Sequence, residues 1–161
     1  MQQMDNYHRK RILITGGAGF LGSHLCERLL KEGNEILCLD NFFTGTKENV
    51  AHLIDNPYFE VIRHDVEFPI HLEVDEIYNL AAQSHVRISY DIPQFTAQTN
   101  ALGVLTILEA CRLACPAAKF YQASSSEMFG SSVDKDGYQR ETTPMNPVSP
   151  YGCSKVFGYN I

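Results

Sequence analysis

Arg11-Ile12-Leu13-Ile14-Thr15-Gly16-Gly17-Ala18-Gly19-Phe20-Leu21-Gly22 is the stretch that decides the fold. Its first four residues are a short apolar run with the pattern of a buried strand, and the glycines after Thr15 break it into a turn that opens a helix. Gly16 allows the tight turn, Gly19 lets the backbone come against a pyrophosphate, and Gly22 lets the new helix pack close on its strand. The first N–H groups of that helix have no partner within it, and with the helix dipole they form an anion site.

The surroundings favour a dinucleotide site over an incidental glycine turn. From Phe20 to Glu32 the spacing is helical, with Leu21, Leu25, Leu29 and Leu30 on one side and Gly33 as the stop. A second apolar run, Glu35-Ile36-Leu37-Cys38-Leu39, ends in Asp40. That acid stands about 20 residues past the turn, where the fingerprint places a partner for a ribose 2′-hydroxyl.

Composition narrows the class. The chain has 161 residues, enough for one domain, and its 44% hydrophobic content is that of an ordinary globular protein. A net charge of −6, with no basic cluster beyond His8-Arg9-Lys10-Arg11, argues against nucleic acid as the main partner. No apolar run is long enough to span a membrane, and the first residues lack a signal-peptide core, so a cytoplasmic protein is expected. The five cysteines include no C-x-x-C pair, which favours buried free thiols in a reducing compartment. Cys111 and Cys115 share a helix face, yet no second pair completes a metal site, and none is expected.

Residues 1–10 form a polar lead-in, and 11–161 form the domain. After Asp40 comes a turn-rich loop, Asn41-Phe42-Phe43-Thr44-Gly45-Thr46-Lys47, then a short helix near Glu48 to Ile54 and a third strand from Phe59 to His64. In a doubly wound sheet, the loops at strand C-terminal ends form the ligand crevice. Asp65 is therefore placed to accept a hydrogen bond from an adenine amino group, or else is a solvated turn residue. Phe68 to Val74 reads as an irregular crossover, and Glu76 to Ala82 as a fourth strand ending in small residues that admit a flat ligand. Gln83-Ser84-His85-Val86-Arg87 reads as a polar crevice loop, whose His85 and Arg87 fit a substrate phosphate and a solvated surface equally well.

The longest helical pattern runs from Pro93 to Ala114, with Phe95, Ala101, Leu102, Leu105, Leu108, Cys111 and Leu113 as its apolar set. Lys119 to Ala123 is a fifth strand running into Ser124-Ser125-Ser126-Glu127, and 130–150 is a long loop of the kind often functional in compact domains. Ser149-Pro150 then reads as N-cap and first position of a helix carrying Tyr151 and Lys155. Strands alternating with helices predict an α/β fold built on a doubly wound parallel sheet.

Taken together, Thr15 to Gly22, Asp40, Asp65-Val66, Asn79-Leu80-Ala81-Ala82, Ser124-Ser125-Ser126-Glu127 and Tyr151-x-x-x-Lys155 resemble the extended short-chain dehydrogenase/reductase family, the nucleotide-sugar epimerases and dehydratases. Residues 10 to about 78 look like UDP-glucuronate decarboxylases, and from Asn79 on the chain looks like GDP-mannose 4,6-dehydratases. The resemblance implies a Rossmann fold, truncated before the substrate subdomain because family members are roughly twice this length. It implies a nucleotide-sugar substrate, GDP- or UDP-linked, and a homo-oligomer joined through the Pro93–Ala114 and Tyr151 helices. The implied reaction is 4,6-dehydration, with decarboxylation, epimerisation and a non-catalytic NAD-binding fragment as the alternatives.

The same resemblance assigns residues. Cofactor contacts fall at Gly16, Gly19, Phe20, Leu21, Gly22, Asp40, Asn41, Asp65, Val66, Leu80, Ala81 and Ala82, with Tyr151 and Lys155 at the nicotinamide end. NAD is expected over NADP, because the Asp40 carboxylate bonds a free 2′-hydroxyl and repels a 2′-phosphate. Tyr151 is the base for the sugar 4-hydroxyl, helped by an ammonium one helical turn away. Ser125 bonds the sugar O4, and Glu127 takes the C5 proton once C4 is a ketone. Ser84, His85, Arg87 and Ser126 are the substrate-side candidates.

Overall fold

The computed structural model describes residues 9–161. Most of the predicted lead-in, residues 1–8, lies outside the described residues. Five parallel strands, β1 (Arg11–Thr15), β2 (Glu35–Asp40), β3 (Phe59–Arg63), β4 (Glu76–Asn79) and β5 (Lys119–Gln122), form one sheet in the order β3-β2-β1-β4-β5. The chain builds outward from β1 to β3 and then returns to add β4 and β5 on the other side. The switch point lies between β1 and β4, where such sheets bind ligands.

Both faces of the sheet are covered, which is why β1 and β2 are continuous apolar runs instead of alternating ones. Ile12, Ile14, Ile36 and Cys38 meet Cys26 and Leu29 of helix α1 (Phe20–Lys31) on one face. Leu13, Leu37, Leu39 and Ile77 meet Ile107 and Cys111 of helix α4 (Gly103–Ala114), with Val66, on the other. Leu25 and Leu30 of α1 pack against the first of these clusters as expected, whereas Leu21 is exposed. The first turn of α1 faces the cleft at the strand ends, where there is no sheet to bury it.

The predicted helix at Glu48 to Ile54 is two 3₁₀ turns, Lys47–Asn49 and Ala51–Leu53. Part of the predicted loop at 83–87 is helical, since helix α2 (Val86–Asp91) begins inside it with His85 as its N-cap. The pattern from Pro93 to Ala114 is one helical rod in three parts: α3 (Pro93–Ala97), a π-helical turn (Gln98–Leu102) and α4. A π turn carries an extra residue and rotates the faces on either side of it. The buried face consequently carries Thr96, Thr99, Asn100, Ala101, Val104 and Ile107, while the expected core residues Leu102, Leu105 and Leu113 are exposed.

Past β5, a 3₁₀ turn (Ser126–Met128) leads into the long loop, where Arg140 pairs with both Asp134 and Asp136. Ser149 caps helix α5 (Pro150–Asn160) by accepting from the Gly152 N–H at 2.9 Å, with Pro150 in the first turn. All five cysteines are free. A hydrogen bond with Cys38, together with burial, pushes the Cys26 thiol far up, so it stays neutral. Among the described residues no helix is long and apolar enough to cross a membrane.

Candidate functional site

A cleft of about 390 Å³ opens where the strands end. Its first wall is the glycine-rich turn with Gly16, Gly19, Phe20, Leu21 and Gly22. Gly16 has a φ of +67°, and a Cβ there would sit 2.9 Å from the Ala81 backbone nitrogen. A Cβ on Gly22 would collide with the Gly16 carbonyl oxygen. Glycine is thus required at the turn by backbone conformation and at the helix by close approach. The Ser23 N–H donates to the Gly19 carbonyl as the first full helical turn, so the N–H groups of Phe20, Leu21 and Gly22 precede any intrahelical acceptor.

The loop after β2 makes the second wall. Asp40 is buried, and its two carboxylate oxygens accept from Ala18 N at 2.9 Å and Phe42 N at 2.8 Å. Each oxygen keeps a lone pair for a ligand hydroxyl. Phe42 takes a left-handed φ of 61°, which turns Phe43, Thr44 and Gly45 into the cleft beside Asn41. Asp65 stands behind this wall: it accepts from the Asn41 side chain at 2.8 Å and from Glu67 N at 3.1 Å, while Val66 lines the cleft.

Leu80, Ala81, Ala82, Gln83 and Ser84, leaving β4, form the floor. Across from them are Ala123 and Ser124, and then Tyr151 and Lys155 from α5. Tyr151 and Lys155 are both buried, and the Lys155 ammonium lies 5.7 Å from the Tyr151 ring centroid. Lys155 Nζ donates to the Ala123 carbonyl at 2.9 Å. Burial pushes its pKa down to about 8, leaving an ammonium that exchanges its proton close to neutrality.

Ser125, Ser126 and Glu127 stand beside the cleft. The Ser125 hydroxyl accepts from Glu127 N at 3.2 Å, and the Glu127 carbonyl packs so closely on α5 that a Cβ on Gly152 would come within 2.7 Å of it. His85 caps α2 and lies outside the wall, and Arg87 pairs with Asp91 on the exposed side of that helix at 3.1 Å. Phe43, His64, Phe95 and Thr99 line the cleft without having been assigned to it from the sequence. Phe43 had a signal in the turn-rich loop after Asp40, whereas Phe95 and Thr99 arrive from a remote helical segment and had none.

These residues fit a dinucleotide. Glycine leaves the turn open where a Cβ would close it, the first helical N–H groups are without intrahelical partners, and Asp40 is held by two backbone N–H groups with acceptor capacity to spare. Gly16 to Gly22 would hold the diphosphate, Asp40 and Asn41 the adjoining ribose, and Tyr151 and Lys155 the end where chemistry occurs.

Residues 13–161 match the family described as GDP-mannose 4,6 dehydratase. UDP-glucuronic acid decarboxylase 1 of Arabidopsis thaliana is 44% identical over 146 residues, covering 90% of this chain and 33% of the relative. The enzyme of the same name from Xenopus tropicalis is 42% identical, over 90% of this chain and 34% of its own length. Among solved structures, a dTDP-glucose 4,6-dehydratase from Streptomyces venezuelae with NAD bound superposes with a TM-score of 0.84 at 32% identity, over 92% of this chain and 49% of that one. A UDP-glucose 4-epimerase from Thermus thermophilus in complex with NAD gives 0.79 at 34% identity, over 93% and 49%. The chain thus spans about a third of the length of these curated relatives and about half of these solved chains.

Proposed function

The chain belongs to the GDP-mannose 4,6 dehydratase family, within the nucleotide-sugar dehydratases, decarboxylases and epimerases, and from that premise we propose that it carries the cofactor-binding half of an NAD-dependent nucleotide-sugar 4,6-dehydratase. The observation that carries this reading is that Tyr151 and Lys155 share one cleft with Gly16, Gly22 and Asp40. When bound, the nicotinamide cofactor supplies a hydride acceptor for C4 of the sugar and the donor that returns the hydride to C6 once the C6 hydroxyl has left, so that the cycle is redox-neutral. Tyr151 takes the proton of the sugar 4-hydroxyl, and Lys155 beside it favours the phenolate and holds the nicotinamide ribose. Ser125 donates a hydrogen bond to O4. With C4 a ketone, the C5 proton is acidic, and Glu127 removes it as the C6 hydroxyl leaves.

Asp40 favours NAD over NADP, since its buried carboxylate repels a 2′-phosphate. Asp65 reads the adenine edge, and Ser84 and Ser126 hold the sugar nucleotide. The working form is a cytoplasmic homo-oligomer.

The names of the relatives favour a second reading, in which the sugar is UDP-glucuronic acid. A 4-ketone turns its C6 carboxylate into a β-keto acid, which loses carbon dioxide without needing Glu127 as a base. Calorimetric titration with NAD and NADP, followed by assays on GDP-mannose and UDP-glucuronic acid, separates the readings. A 4-keto-6-deoxy product supports the dehydratase, and carbon dioxide release supports the decarboxylase. NAD binding without either leaves a cofactor-binding module, and no binding of either cofactor overturns the whole reading.

A further inference from the structure

Thr15, Asn79 and Gln122 are the last residues of three neighbouring strands and sit side by side in the parallel register. Thr15 and Asn79 are almost entirely buried. Buried polar side chains are tolerated only when their hydrogen bonds are made, and here they are made in one direction. Thr15 Oγ1 accepts from both Leu80 N and Ala81 N at 3.1 Å, so its single proton points to Asn79 Oδ1, 2.5 Å away. With its oxygen engaged, the Asn79 amide turns its Nδ2 to Gln122 Oε1 at 2.8 Å. That in turn aims Gln122 Nε2 at the Ala123 carbonyl, 3.2 Å away, and this oxygen also accepts from Lys155 Nζ. The polarity of the row is therefore set by the Leu80 and Ala81 N–H groups and ends at the Lys155 ammonium. Ala123 lies past the end of β5, and among the described residues its carbonyl is given no backbone N–H partner.

We propose that Gln122 is a positioning residue for Lys155: its side-chain amide, oriented through Asn79 by Thr15, holds the Ala123 carbonyl toward the ammonium. The proposal rests on the role given to Lys155 above. It is a claim about the apo chain, so its failure is separable from a failure to bind cofactor. The other titratable side chains on α5 and on the elements packed against it are Tyr151, Cys153, Tyr159, Glu127, Arg87, Tyr90 and Asp91. Among the described residues none of these makes an ion pair or hydrogen bond with Lys155, whose hydrogen bond to the Ala123 carbonyl is made beside the Tyr151 ring.

The test is the titration of Lys155 followed by NMR of ¹³C-labelled lysine side chains in the free chain, with Lys155→Met assigning the signal. Gln122→Met removes the amide at equal length. The freed carbonyl then serves the ammonium less well, and the Lys155 midpoint is expected to fall by about half a pH unit or more. Gln122→Glu still accepts from Asn79 but turns a carboxylate oxygen toward Lys155, and its midpoint is expected to rise. Thr15→Val cuts the row at its far end and is expected to shift the midpoint in the same direction as Gln122→Met. A general loss of packing would not produce opposite shifts in two folded variants at one position. An unmoved midpoint in either folded Gln122 variant, or a rise in Gln122→Met, overturns the proposal.

Discussion

The Lys155 ammonium lies 5.7 Å from the ring of Tyr151, one helical turn away and buried with it. That arrangement costs stability at neutral pH. Folding moves the ammonium from water, where its pKa is 10.5, to a site where burial lowers it to about 8. Between those values the unfolded chain binds more protons than the folded one, so stability rises with pH across that window. Relative to Lys155→Met, the wild type is expected to gain about 3 kcal/mol of unfolding free energy from pH 8 to 10.5. Urea unfolding of both proteins at several pH values checks this, and parallel curves would contradict it.

Gly22 and Gly33 offer a contrast in why glycine is needed. An alanine at 22 drives its Cβ into the backbone of Gly16 and Gly17, whereas at 33 it meets nothing and bears only the strain of a φ of +91°. Gly22→Ala is expected to cost about 3 kcal/mol by overpacking and to widen the turn. Gly33→Ala is expected to cost about 1 kcal/mol. Thermal unfolding followed by circular dichroism ranks the two, and equal losses would show that the close approach at Gly22 relaxes cheaply.

Asp40→Asn removes the charge while keeping one acceptor oxygen for the loop N–H groups. NAD binding is expected to weaken about tenfold, and the preference over NADP to shrink by at least as much, because the repulsion of a 2′-phosphate goes with the carboxylate. Calorimetry with both cofactors measures it, and an unchanged preference would remove Asp40 from cofactor selection.

Tyr151→Phe keeps the ring against Lys155 and removes the hydroxyl. Turnover of whichever sugar nucleotide the protein accepts is expected to fall by at least about 100-fold, with NAD affinity held within about twofold. Retained turnover would give the proton transfer to another group.

Local signals account for most of what the sequence disclosed about the cleft. The glycine turn, Asp40, the small residues after β4 and the Ser149-Pro150 cap are each written in a few consecutive residues, and each stands where its pattern placed it. The misread face of the Pro93–Ala114 helix has a single cause. The π turn at Gln98–Leu102 rotates the helix face partway along a pattern read at constant period, which moved Leu102, Leu105 and Leu113 out of the expected core. The turn leads into Gly103, where a Cβ would come within 2.8 Å of Val66, a neighbour that only the tertiary structure supplies.

The sequence by itself determined a parallel α/β sheet with an anion-binding turn after its first strand, an acid after its second, and a tyrosine and lysine one turn apart. These follow from backbone preferences and hydrophobic period, which act over a few residues. Only the tertiary structure decided what those residues meet. It set Asp65 behind Asn41, set Glu127 beside the cleft and not in its wall, and ran a single line of hydrogen bonds from Thr15 through Asn79 and Gln122 to the carbonyl that holds Lys155. The members of that line are far apart in the chain, and only strand register makes them neighbours.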